Sequence, residues 1–114
     1  MHAINKVIVM GCVQEGLKLT YGPEGTPQCS LTLLLEEGGK DGGTYKLYLP
    51  VDVFSTHAEW VAEHVHAGAL VLIDGKLRWK SWVDKQGQKQ GKLALMAWQV
   101  TLVQPATSAP VSAP

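Results

Sequence analysis

Residues 45–82 read YKLYLPVDVFSTHAEWVAEHVHAGALVLIDGKLRWKSW, and the order of patterns in this stretch decides the fold. Apolar residues first alternate with other residues along 45–54, which is the period of a half-buried strand. They then recur at helical spacing over 58–65, and Gly68 supplies a stop for that helix. A second and longer strand pattern follows over 69–82. A strand, one helix and a long strand in succession therefore form the centre of the predicted fold.

Further strand patterns flank this centre on both sides. The predicted strands are 7–13, 29–36, 45–54, 69–82 and 92–103. Glycine and proline mark 15–27 as a turn region, 37–44 as a flexible loop and 84–91 as a hairpin loop. The last strand is apolar on both parities, so we expect it to be covered on both faces.

Five strands with one helix between the third and the fourth is the arrangement of the OB-fold barrel. We therefore predict an all-β domain of this type over residues 1–104. The Pro/Ala/Ser-rich residues 105–114 are expected to form a flexible tail that does not pack. Another small β-barrel or an α+β sandwich is the alternative for the folded part.

The size and composition of the chain exclude several other classes. A chain of 114 residues is expected to form one domain with a core that needs no disulfide or metal. No stretch approaches the roughly 20 apolar residues that span a bilayer, and no secretion signal is evident. Two cysteines, Cys12 and Cys29, do not make a disulfide framework, so we expect a reduced, cytoplasmic setting.

The formal net charge of zero hides a separation of charge along the chain. Residues 76–92 carry six basic groups and one acidic group, whereas the other 97 residues carry four basic and nine acidic groups. This local charge of +5 lies beside Trp79 and Trp82, a composition typical of proteins that bind single-stranded nucleic acid. The alternative is a solvated hairpin whose lysines only keep it soluble.

Period-two alternation also places aromatic and basic side chains on the face away from the core. Along 45–54 the core parity is Tyr45 to Val53, which leaves Lys46, Tyr48 and Phe54 outside. Along 69–82 the outer parity holds Lys76, Arg78, Lys80 and Trp82. Both strands are therefore predicted to present an outer face that carries aromatic and basic side chains.

The sequence gives little support for catalysis. The spacing of His57, His64 and His66 matches no zinc motif, and no nucleophile or phosphate-loop motif is present. We therefore expect no enzyme activity, no metal and no cofactor.

Several blocks of the sequence resemble the bacterial single-stranded DNA-binding protein family. The matching blocks are Asn5-Lys6-Val7-Ile8-Val9-Met10-Gly11, Tyr21-Gly22-Pro23-Glu24-Gly25-Thr26, and Val71-Leu72-Ile73-Asp74-Gly75-Lys76-Leu77-Arg78 with Trp82 and residues 84–88 behind it. Tyr48 and Phe54 stand where that family usually has a tryptophan and a phenylalanine. The resemblance covers residues 4 to about 103.

The resemblance implies binding of single-stranded DNA without strong sequence preference, in replication, repair or recombination, by a homo-oligomer. It implies that Tyr48, Phe54 and Trp82 stack on bases. Tyr21, which belongs to a matched block, is also expected to bind the nucleic acid. The cations expected to neutralise phosphates are Lys6, Lys46, Arg78, Lys80, Lys85 and Lys89. If four to six of them do so, the logarithm of affinity falls with the logarithm of salt at a slope of roughly −3 to −4.

Some positions depart from that family. Thr20, Pro50, Thr56 and Ser81 are uncharged where basic groups are usual, and the tail lacks an acidic tip, which makes tail-mediated recruitment of proteins doubtful. Gly25-Thr26-Pro27-Gln28-Cys29 and Leu49-Pro50-Val51 also resemble segments of primosomal replication protein N, a small OB-fold protein built on the same plan. That second resemblance implies a dimer rather than a tetramer. A different class of function stays open, namely a protein-interaction barrel of the primosome-adaptor kind with little or no nucleic-acid binding.

Overall fold

The structure is a computed structural model that describes residues 2–106. This part of the chain contains six strands and one helix. They are β1 (Val7–Val13), β2 (Lys18–Tyr21), β3 (Pro27–Gly38), β4 (Thr44–Phe54), α1 (Thr56–His64), β5 (Leu70–Val83) and β6 (Lys89–Gln104). Within it, no helix has both the length and the apolar character that a bilayer crossing needs. Most of the predicted tail lies outside the described residues, but Ala106 still packs against the core.

Five of the strands close into a barrel. The order is β1-β5-β6-β4-β3, and β3 returns to β1 through the pairs Cys12↔Leu34 and Val13↔Leu33. This closed five-stranded barrel confirms the predicted OB fold. The short strand β2 pairs with β3 and lies in the segment predicted as turns. Because β2 comes early in the chain, α1 follows the fourth strand in sequence while still separating the third and fourth strands of the barrel.

The barrel interior is filled by the alternating residues that the sequence indicated. The largest fully buried side chains include Leu33, Ile73 and Leu95. Helix α1 packs Ala58 and Val61 into this core. The sequence Thr56-His57-Ala58-Glu59 predicts a capping box at the start of this helix, but the helix begins differently. Residue Ser55 precedes it with a φ of 67° and makes no side-chain capping bond.

A bulge in β6 explains why that strand is apolar on both parities. Asp74 pairs with Gln99, but the next residue of β5, Gly75, pairs with Ala97, so Trp98 is the extra residue. Core-facing positions therefore change parity, from Leu95 and Ala97 before the bulge to Val100 after it. The expected cover on both faces is not needed to account for this strand.

Two hairpins extend past the closed part of the barrel. Strand β1 pairs with β5 only as far as Gly75, so the rest of β5 has β6 as its partner. We call this two-stranded extension, residues 76–92, the basic arm. The β3–β4 hairpin extends similarly, and the core face predicted for 45–53 is covered only from Leu49 onward, with Tyr45 and Leu47 exposed.

Candidate nucleic-acid interface

Two contacts join the outer faces of β4 and β5 into one surface. The guanidinium carbon of Arg78 lies 5.4 Å from the centre of the Phe54 ring. The Lys80 Nζ lies 2.8 Å from Oδ2 of Asp52. Both contacts reach across β6, which separates β4 and β5 in the barrel. The aromatic and basic residues that alternation placed on two separate strands therefore belong to a single face.

The aromatic side chains of this outer face differ in how much of each ring is free. Tyr48 is 56% exposed and Trp82 is 45% exposed, so both present ring faces to solvent. Phe54 is half-buried, with Arg78 over its ring. A cation placed on an aromatic ring in this way is held electrostatically while its remaining N–H groups stay free to donate. The structure thus offers two open rings and one ring shared with a guanidinium.

Two of the predicted phosphate ligands form loose ion pairs. The Lys6 Nζ is 3.8 Å from an oxygen of Asp74, and the Lys46 Nζ is 4.0 Å from an oxygen of Glu36. All four side chains are substantially exposed. Exposed pairs of this kind contribute about 0–1 kcal/mol, so a phosphate can compete for either ammonium group.

A third predicted phosphate ligand, Lys80, is held much more tightly. Its partner Asp52 is only 3% exposed, although alternation places that residue on the outer face. The Ser30 hydroxyl donates to the other oxygen of Asp52 at 3.0 Å. The ammonium of Lys80 approaches outside the angles of a directed hydrogen bond, so its contact with the carboxylate is mainly coulombic. Burial and the Asp52 charge together raise the pKa of the neighbouring Cys29 thiol to about 11.

The turn of the basic arm is shaped by one carboxylate. Asp84 Oδ1 accepts the backbone N–H groups of Gln86 and Gln88, and Oδ2 accepts the Gln90 side-chain amide. These hydrogen bonds hold the pKa of the Asp84 carboxyl below its ordinary value, the Gln88 bond contributing most. Within residues 2–106, the lysines of the arm that make no ion pair are Lys76, Lys85, Lys89 and Lys92.

The structure places Tyr21 away from the outer face that carries the other predicted binding residues of β4 and β5. Leu19 of β2 pairs with the buried Cys29, and Tyr21, two residues on, lies on the same side of the β2–β3 ladder. There its hydroxyl donates to Glu59 of α1 at 3.1 Å, which raises the pKa of the tyrosine. Tyr21 is therefore exposed beside an acidic helix, apart from the face that carries Phe54.

The parity of Trp79 predicts a core residue with a secondary role in groove contact, whereas the structure leaves it exposed on the arm. Trp79 has core parity but is 64% exposed, because β1 no longer accompanies β5 at this point. Its indole packs against Gly91, where an added Cβ would clash with the ring. The length of the strand pattern could have indicated this exposure. Strand β5 has fourteen residues and β1 has seven, so β1 cannot cover all of β5.

Among residues 2–106, no three His, Cys, Asp or Glu side chains come together in a way that could hold a metal ion. What this face offers is ring surface and positive charge at the rim of a closed five-stranded barrel. A barrel of this topology with such a face belongs to the class of oligonucleotide-binding folds.

The chain belongs to the single-strand binding protein family, whose family model matches residues 4–103. A single-stranded DNA-binding protein of Wolinella succinogenes is 31% identical over 97 residues, which make up 82% of this chain and 60% of that protein. The protein of the same name from Helicobacter pylori is 30% identical over 97 residues, or 82% of this chain and 54% of that protein. The chain thus spans between about half and three fifths of the length of these relatives.

The fold itself is shared with a solved complex. The Plasmodium falciparum SSB, solved with single-stranded DNA, matches with a TM-score of 0.81 at 13% identity. The match covers 91% of this chain and 98% of that one. These comparisons support the first of the two resemblances noted in the sequence and do not favour the protein-interaction alternative.

Proposed function

We propose that this protein binds single-stranded DNA without strong sequence preference and serves in DNA replication, repair or recombination in the cytoplasm. The observation that carries the proposal is the single outer face that joins Tyr48, Phe54 and Trp82 to the basic arm through the Arg78–Phe54 contact. Stacking suits binding that tolerates any sequence, because every base presents a π-face. Family membership points to the same ligand.

Phosphate contacts in this proposal come from the lysines that are free or only loosely paired. Lys85 and Lys89 flank the turn of the arm, and Lys6 and Lys46 exchange a weak carboxylate partner for a phosphate. Arg78 has the N–H groups to contact a phosphate while its guanidinium rests on an aromatic ring. Tyr21 is proposed as a contact at the edge of the DNA path only, since Glu59 beside it repels phosphate.

Binding is tested by anisotropy of a labelled oligo-dT with Trp82→Ala and a matched control. We expect Trp82→Ala to weaken binding about 5- to 150-fold, which is the loss of one stacked base at about 1–3 kcal/mol. The control is Trp60→Ala, since Trp60 lies on α1 between the rings of His57 and His64 at 5.7 and 4.8 Å. We expect that variant to bind within about twofold of the parent chain. Absence of binding at low salt, or equal losses in the two variants, would refute the proposal.

We further propose that the protein is a homo-oligomer that associates through the outer face of β1. Ile8 and Met10 are exposed there, and Met10 pairs with the exposed Leu72 of β5. A contiguous apolar face on an exposed strand is typical of a subunit contact. Solution mass measured by light scattering distinguishes a tetramer from a dimer. A monomeric parent chain, or a Met10→Glu variant that keeps the parent mass, would contradict this contact.

A further inference from the structure

Asp52 is an acidic residue in the middle of a face proposed to bind a polyanion. It lies on β4 between Tyr48 and Phe54, four and two residues away respectively, and shares their outward parity. The residue is 3% exposed, and its carboxylate is reached by Lys80 at 2.8 Å and by Ser30 at 3.0 Å. A negative charge at this position needs an explanation, because an isolated one would repel phosphate.

The pair differs in kind from the other ion pairs of the same surface. The Lys80 side chain is 28% exposed and its partner almost fully buried, whereas Lys46 and Glu36 are each about half exposed and 4.0 Å apart. In a site of low dielectric, two opposite charges 2.8 Å apart bind each other far more strongly than at the surface. A phosphate therefore displaces Glu36 from Lys46 at little cost but does not displace Asp52 from Lys80.

The surroundings show what the pair removes from the DNA face. Lys80 and Lys92 line one notch of about 170 Å³ together with Ser30, Thr32 and Asp52. Without the carboxylate, this notch would present two ammonium groups to a phosphate. With it, Lys92 carries the only uncompensated charge among these five side chains.

We propose that Asp52 weakens DNA binding by holding Lys80 in a neutral pair, so that the face makes one phosphate contact fewer than its lysines indicate. The inference rests on the proposed function. Each phosphate neutralised on a single strand contributes about −0.7 to the slope of log affinity against log salt. Freeing Lys80 should therefore steepen that slope by about 0.7 and strengthen binding most at low salt.

The test is a salt series of oligo-dT titrations with Asp52→Asn. The amide is close in shape to the carboxylate and still accepts from Ser30, so the change removes the charge alone. If the variant and the parent chain bind equally near 1 M salt, a slope change of about −0.7 corresponds to binding about eightfold tighter near 50 mM salt and less than twofold tighter near 500 mM salt. The double variant Asp52→Asn/Lys80→Gln should return to the parent slope.

Glu36→Gln is the matched control, because it removes one negative charge from the outer face of the neighbouring strand. Its partner Lys46 is already available to DNA, so we expect less than half the slope change of Asp52→Asn. An Asp52→Asn slope equal to that of Glu36→Gln, or weaker binding by Asp52→Asn, would overturn the inference while leaving the proposed function intact. A parent chain that does not bind oligo-dT at low salt would refute the proposed function itself.

Discussion

Replacing Lys80 by methionine should destabilise the fold far more than replacing its partner. Methionine keeps most of the length of the side chain but removes the ammonium 2.8 Å from Asp52. The carboxylate, 3% exposed, would be left with the Ser30 hydroxyl as its hydrogen-bond donor. Breaking a buried pair in this way costs about 3–5 kcal/mol, because a charge stays buried without compensation. That is a large share of the roughly 5–15 kcal/mol that stabilises a domain.

Replacing Asp52 instead of Lys80 leaves the positive charge without its partner. In Asp52→Asn the unpaired group is the Lys80 ammonium, which is already partly exposed and sits on a flexible stem that can turn to water. We expect a loss of about 1 kcal/mol. The double variant Asp52→Val/Lys80→Met should lie within about 1 kcal/mol of the parent chain, since an apolar pair replaces a buried ion pair at little net cost.

Urea unfolding followed by circular dichroism measures all three variants. The midpoint should shift while the dependence on denaturant stays constant, because the surface exposed on unfolding hardly changes. Leu31→Ala serves as a reference variant, because it leaves a cavity at a buried position next to Ser30. We expect it to lower the free energy of unfolding by about 2–5 kcal/mol. The reasoning would be refuted by a loss below about 1 kcal/mol in Lys80→Met, or by equal losses in the two single variants.

Three further predictions concern ionisable groups. The pKa of the Asp84 carboxyl is below its ordinary 3.8 in the folded chain, so its contribution to stability is complete above that value and is lost as pH falls through the lower folded pKa. Acid unfolding of Asp84→Asn should therefore show a shallower pH dependence than the parent chain, and identical curves would contradict this. Glu59→Gln should lower the pKa of the Tyr21 phenol toward its ordinary 10.0, as followed by near-ultraviolet absorbance. Because the Cys29 thiol is fully buried with a pKa of about 11, a Cys12→Ser variant should react with a thiol reagent only as fast as it unfolds, and a rapid phase would argue against that burial.

Those parts of the fold and site that depend on local alternation could be predicted from the sequence. Side chains two residues apart share a face along a strand that has no bulge, so Tyr48, Phe54 and Trp82 could be placed outside the core before the barrel was known. The helix followed for the same reason, since Ala58 and Val61 recur at helical spacing. The barrel was inferred from the order of elements along the chain, and the closure of β3 onto β1 confirms it.

Other features depend on contacts between distant residues, which alternation does not reveal. Alternation gives Asp52 the correct face, but it does not reveal the burial of this residue or its ion pair with Lys80, which lies twenty-eight residues later and two strands away. Trp79 keeps core parity, but β1 does not cover it, because the pairing of β1 with β5 stops at Gly75. The parity change in β6 comes from the bulge at Trp98. In the sequence both parities of this strand are apolar, so the sequence does not show which residues face the core.

The distribution of paired and free cations determines how the proposed binding should respond to salt. The chain is neutral overall, so it has little long-range attraction for DNA, and Lys80 is already neutralised by Asp52. Phosphate contacts then come mainly from the basic arm and from loosely paired lysines, and these contacts weaken as salt rises. Stacking on Tyr48 and Trp82 is not screened in this way, because it depends on contact between rings and bases. Binding should therefore fall with salt toward a residual level set by the aromatic side chains, and Trp82→Ala should lower that residual level more than any single lysine variant of the arm does.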